Sequence, residues 1–147
     1  MPRQIAKVGD IFWVPIEDDS SVLGQIVEIQ KEVLNSITCA FFAVRNTDEN
    51  CDIEHLFSPI SVQFVTKDLF NNGTWSRIAN TPVQISNCKL PYREAETDGW
   101  IGATVIGSGN IQMFLSAFFG LRAWDEMHDP NYYQKLLLPG VQRHGYA

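Results

Sequence analysis

The chain has 147 residues, 45% of them hydrophobic and 12% aromatic, with 17 acidic against 11 basic side chains and a formal charge of −6. This composition excludes a disordered chain or a coiled coil, and the length suits a single domain, 1–147, whose core needs no metal or disulfide staple. The acidic balance speaks against nonspecific nucleic-acid binding, which needs Lys and Arg to displace phosphate counterions, and suits basic partners instead.

The opening residues, Met1 to Val8, carry no apolar signal-peptide core, and no run reaches the ~18 apolar residues of a membrane span. The sequence therefore predicts a cytoplasmic protein with no membrane partner. Cys39, Cys51 and Cys88 are odd in number and lack a paired metal-ligand spacing, as expected of reduced structural thiols.

In chain order, a first strand is predicted from Asp10 to Ile16, entered through Gly9 and closed by the acidic turn Glu17-Asp18-Asp19-Ser20-Ser21. Pro15 cannot donate to a ladder, which places it at an edge or a bend. Val22 to Gln30 forms the next strand, with Gly24 marking a bulge or a close backbone approach. Ile37 to Arg45 is almost continuously apolar, as in a strand buried on both faces. After the polar stretch Asn46 to Glu54, alternation resumes from Pro59 to Phe70, with Ile60, Val62 and Phe64 opposite Ser61, Gln63 and Val65. Asn71-Asn72-Gly73 predicts a hairpin turn that returns through Thr74 to Val83, with Trp75 and Ile78 pointing inward.

Five short antiparallel strands of this kind suggest a bent, SH3-like sheet or half-barrel. The segment Gly99 to Ile106 is a candidate for one more strand. Ser108-Gly109-Asn110 then offers helix N-caps before the stripe Ile111, Phe114, Leu115, Phe118 and Phe119, which Gly120 stops. Asp129-Pro130 opens a second helix to about Leu138. The expected class is α+β, an N-terminal SH3-like half-barrel followed by two short C-terminal helices.

The sequence offers no catalytic constellation. His55, His128 and His144 have no metal-ligand spacing, and Gly107-Ser108-Gly109 lacks the ending of a phosphate loop. There is no G-x-S-x-G elbow, and the pair Asp125/Glu126 reads as a solvated turn. No catalytic residue, metal or cofactor is therefore assigned. The acidic residues nevertheless gather: Glu17, Asp18 and Asp19 in one cluster, Asp48, Glu49, Asp52 and Glu54 in a second, and Asp125, Glu126 and Asp129 in a third. Such clusters are ordinary solvated turns unless a cationic partner meets them. Trp13 and Trp75 read as core residues, while Trp100 and Trp124 lie near chain reversals.

Val8-Gly9-Asp10-Ile11-Phe12-Trp13-Val14-Pro15-Ile16, the acidic turn, and Gly24-Gln25-Ile26-Val27 together resemble the opening of the immunity protein 26 family of bacterial polymorphic toxin systems. The stretch Gly73 to Val83, with Trp75, Ile78, Asn80 and Pro82, resembles the family's Trp-x-x-Ile-Gly-Asn-x-Pro segment, Ala79 standing in place of the Gly. Leu90-Pro91-Tyr92-Arg93 and the pieces Gly120 to Asp125, Asp129 to Tyr133 and Leu136 to Leu138 are similar to later parts of such proteins. The resemblance implies a non-enzymatic antitoxin whose partner is one cognate toxin domain. A nuclease toxin would offer a basic groove, so the expected partner-binding residues are Glu17, Asp18, Asp19, Asp48, Glu49, Asp52 and Glu54. A small SH3-like module for a peptide, sugar or other ligand is the alternative, and a hydrolase ranks below both.

Overall fold

Apolar side chains on both faces of four successive strands build the centre of the fold. The computed structural model describes residues 3–30, 36–47, 59–84, 105–138 and 141. Strands β1 (Asp10–Pro15), β2 (Ser21–Gln30), β3 (Ser36–Arg45) and β4 (Ser61–Thr66) pair in sequence, each antiparallel to the last. A one-turn helix, α1 (Asp68–Asn71), follows β4, and β5 (Ser76–Asn80) then crosses to the free side of β1. The short β6 (Val105–Ile106) lies parallel to β4, giving the order β5-β1-β2-β3-β4-β6. Helices α2 (Ser108–Phe118) and α3 (Tyr132–Leu136) complete the described chain.

The expected α+β class is the one adopted, with an antiparallel five-stranded part ahead of two helices. The sheet stays open, and its sixth strand makes it mixed. Register shifts at Val22/Gly24, Ile26/Glu28 and Ile11/Phe12 interrupt the ladders, and shifts of this kind bend a sheet. Pro15 sits where β1 has run past β5: β5 pairs only with Asp10 to Trp13, so the missing N–H costs no bond on that side.

Alternation sorts the strand residues into two apolar layers. Phe12, Val14, Val22, Ile26, Ile37, Cys39, Phe41 and Val65 face the helices, where Phe70, Trp75, Ile111, Phe114, Leu115 and Tyr133 cover them. Ile11, Leu23, Val27, Ala40, Phe42, Val62 and Phe64 form the other layer. Ser36 to Phe42 is buried throughout, as the continuous apolar run predicts, but the double burial stops short of Arg45: Ala43 is exposed, and Val44 and Arg45 are half-buried. Burial also pushes the Cys39 thiol well above its ordinary pKa and leaves it a small core hydrophobe. Among the described residues no helix is long and apolar enough to cross a membrane.

Five further local expectations needed correction. The fourth strand stops at Thr66 instead of reaching Phe70. Thr66 Oγ1 donates to Asp68 Oδ1 (2.7 Å), and Asp68 opens the helical turn. Asn71-Asn72-Gly73 is therefore not a hairpin: Gly73, at φ 86°, ends α1, and the next strand joins β1 instead of β4. Trp75 drives that crossing by stacking on Phe12, with ring centroids 5.3 Å apart and planes within 4°.

Trp75 points inward as expected, but Ile78 points out. The register passes from Phe12↔Arg77 to Ile11↔Ala79, which leaves Ile78 as the bulged residue with no partner opposite. At α2, the residue before the helix is Gly107, which has no capping side chain, while Ser108 Oγ donates to Asp68 (2.8 Å) and so ties α2 to α1. Asp129 does not begin a helix at Pro130; its carboxylate accepts the Asn131 N–H (2.9 Å), and the helix spans Tyr132 to Leu136 before Leu137 turns extended.

Candidate functional site

The acidic turn between β1 and β2 is built by its own side chains. Asp19 adopts a left-handed φ of 68°, a conformation that a short polar side chain tolerates, and Asp18 accepts both the N–H (3.1 Å) and the hydroxyl of Ser20. These bonds, chiefly the one from the Ser20 hydroxyl, hold the Asp18 carboxyl below the usual carboxylate range. Asp18 also pairs with Arg45 at the end of β3 (3.3 Å), whose guanidinium lies 4.7 Å from the centre of the Phe119 ring.

Glu17 pairs with Arg122, which also grips Glu126 through two bonds of 2.6 Å each. Arg122 thus joins the first acidic cluster to the third. Its bonds lower the pKa of Glu126, and Glu126 in turn accepts the Tyr133 hydroxyl (2.7 Å). Burial, with the Glu126 bond second, raises the pKa of that phenol. Asp129 is held by Lys135 (2.6 Å). Among the described residues, Asp19 and Asp125 remain as exposed carboxylates without a partner. A shallow hollow of about 290 Å³ borders the turn, lined by Pro15, Ile16, Glu17, Gln112, Met113 and Ser116.

Of the seven expected partner-binding residues, Glu17, Asp18 and Asp19 share this turn, while Asp48, Glu49, Asp52 and Glu54 lie outside the described residues. Cys51, Cys88, His55, His144, Trp100 and the Leu90–Arg93 segment lie outside them too. Among the described residues, no group of three or more His, Cys, Asp or Glu is placed to hold a metal ion.

A second neighbourhood forms where the motif residues converge at the start of β1. Gly9 has a φ of 94°, and a Cβ there would stand 2.6 Å from the Thr81 carbonyl oxygen. That closeness permits the bonds Gly9 N–H to Ile26 O (2.8 Å) and Thr81 N–H to Gly9 O (3.0 Å). The buried Gln25 amide donates to Thr81 O (3.1 Å) from β2. Asp10 is only 1% exposed and accepts from the Lys7 N–H (3.0 Å), Asn80 Nδ2 (2.9 Å) and Arg77 Nη1 (3.3 Å). Gly24 leaves room for Phe12, whose ring carbons would lie 2.7 Å from a Cβ at that position. Ala79 stands in mid-strand opposite Ile11 with an ordinary negative φ, so the strand needs no glycine there.

Charge clustering in the sequence does not anticipate this second group. Its exposed flank carries Ile5, Val8 and Ile78 around a hollow of about 510 Å³ lined by Lys7, Asp10, Arg77, Ile78, Ala79 and Asn80. The available signal was the spacing of Gly9-Asp10 and Asn80-Thr81 at the two ends of paired strands.

Comparison with curated proteins and with solved structures yields no match. A family model described as Immunity protein 26 matches residues 7–100, so the C-terminal pieces from Gly120 to Leu138 fall beyond it. The matched span is well over half of the chain and holds every residue of the group formed by Gly9, Asp10, Gln25, Trp75 and Asn80, and on that ground the chain belongs to the immunity protein 26 family.

Proposed function

We propose that this chain is a non-enzymatic antitoxin, one domain that binds a cognate polymorphic toxin in the cytoplasm and blocks it by occlusion. Membership of an immunity family carries the reading, since an immunity protein works by binding a toxin. The chemistry of the motif residues agrees with it: Gly9, Gly24, Gln25 and Trp75 serve turns, close packing and strand crossing. Co-expression with the product of the neighbouring gene, as the candidate toxin, tests the proposal. Restored growth and co-purification are expected; continued killing with no complex overturns it.

The acidic residues Glu17, Asp18 and Asp19, with Asp48, Glu49, Asp52 and Glu54, are proposed to steer a basic toxin such as a nuclease. Opposite charge accelerates encounter more than it strengthens the final complex. The ion pairs of Glu17 and Asp18 offset part of this field, which leaves Asp19 as the exposed carboxylate of the turn without a partner among the described residues. Reversing both clusters should slow association about tenfold at low salt and little at high salt. Stopped-flow association rates at two ionic strengths check this, and rates equal to wild type at low salt refute steering.

A further inference from the structure

Exposed apolar surface is unevenly placed on this molecule. Among the described residues four large hydrophobic side chains stand exposed: Ile5 at 72%, Val8 at 50%, Ile78 at 44% and Ile29 at 37%. Single exposed residues are normal, but three of these four occupy one edge of the sheet. The segment 4–8 is fastened along β5 by side chains. Gln4 Nε2 donates to Trp75 O (2.8 Å), and Gln4 Oε1 accepts the Arg77 N–H (3.0 Å). The Gln4 amide thereby makes the two bonds that a neighbouring strand would make in a ladder. Further along, Arg77 Nη1 donates to Ile5 O (3.1 Å) and Asn80 Nδ2 to Val8 O (3.1 Å), so the two bonded pairs bracket the bulged Ile78.

The edge also has its own charge. Arg3 and Lys7 are exposed along segment 3–8, and Arg77, exposed on β5, spends part of its guanidinium on the buried Asp10 (3.3 Å). Among the described residues, a chain of net charge −6 thus presents a cationic, apolar margin beside the 510 Å³ hollow. Fixed apolar side chains at the rim of a hollow, with charges outside them, match the arrangement of an interface anchor. The acidic turn lacks such a group, since none of the four exposed hydrophobic residues belongs to it.

We propose that the edge formed by β5 and segment 3–8 is the anchoring surface for the toxin, which inserts apolar side chains around Ile5, Val8 and Ile78 and sets carboxylates against Arg3, Lys7 and Arg77. This rests on the immunity reading and adds to it the place of tight contact and the chemistry of the partner's face. Apolar anchors govern dissociation, whereas the distant acidic turn acts on approach.

The full chain and the purified toxin domain from the neighbouring gene provide the test, by binding kinetics and by growth protection. Ile5→Asp combined with Ile78→Asp should weaken binding about 100-fold, mostly through faster dissociation, and abolish protection. Ile5→Ser alone, at the most exposed of these positions, should weaken it several-fold with an unchanged urea midpoint, which separates lost contact from lost fold. Ile29→Asp, elsewhere on the sheet, should bind as wild type. Wild-type dissociation rates in the Ile5/Ile78 double variant overturn the proposal while leaving immunity intact. If toxin binding is unchanged but a wild-type dimer becomes monomeric, the edge belongs to a second copy of the chain and the proposal fails. A wild-type chain that neither binds nor protects removes the immunity reading itself.

Discussion

Gly24 shows how one absent side chain sets the centre of the sheet. Its Cα lies under Phe12, and Phe12 stacks on Trp75 while meeting Phe41 and Phe70 edge-on. A methyl group at position 24 would press into a ring held on several sides, a volume that a close-packed core cannot absorb locally. Gly24→Ala should therefore lower stability by about 1–3 kcal/mol with little change in urea m-value. Urea unfolding followed by tryptophan fluorescence measures this, and a midpoint equal to wild type would show that Phe12 can move aside. Gly24 was legible in the sequence as a close approach, because an isolated glycine in an apolar strand has few other uses. Asp10 was not legible in the same way: nothing in Gly9-Asp10 tells that a carboxylate at the start of a strand will be buried against Arg77 and Asn80, residues close to 70 positions away.

At the scale of elements, β5 depends on one side chain for its place. It pairs with β1 over Asp10 to Trp13, its own residues are mostly exposed, and Trp75 just ahead of it is the part that enters the core. Trp75→Ala removes the stack on Phe12 and should cost about 3–5 kcal/mol, the range for truncating a buried aromatic. Hydrogen exchange should then speed up in β5 and segment 4–8 well before β2 and β3, since Gln4 is bonded to the same stretch. Uniform loss of protection across the sheet would contradict this dependence. The strands were legible from alternation and turn residues, but their partners were not. Asn71-Asn72-Gly73 has hairpin chemistry, yet Asp68, Thr66 and Ser108 use that stretch to close a helical turn, and Trp75 carries the chain over to β1. Local sequence can specify a reversal; which strand the chain meets afterwards depends on long-range packing that periodicity does not encode.

For the whole molecule, the fold draws four of the described carboxylates below their ordinary pKa. The bonds from Ser20 do this for Asp18, those from Thr66 and Ser108 for Asp68, Arg122 for Glu126, and Lys135 for Asp129. A carboxylate depressed in the folded state stabilises the fold fully above its unfolded pKa, near 4, and that contribution disappears as pH falls through the lower folded value. Stability should therefore be nearly level from pH 7 to about 5 and drop steeply below about 4. The same titration removes up to 17 negative charges while 11 Lys and Arg stay positive, so self-repulsion adds to the loss. Arg122 concentrates the effect, because protonation of Glu126 loosens the guanidinium that also binds Glu17 in the β1–β2 turn. Glu126→Gln keeps the shape of the side chain but removes the proton-sensitive partner, so it should lower the urea midpoint at pH 7 and flatten its fall between pH 4 and pH 2.5. Midpoints measured across that range for both chains decide the matter. A variant that falls as steeply as wild type would place the acid sensitivity in other carboxylates, with Asp68, which ties α1 to α2, the next to replace.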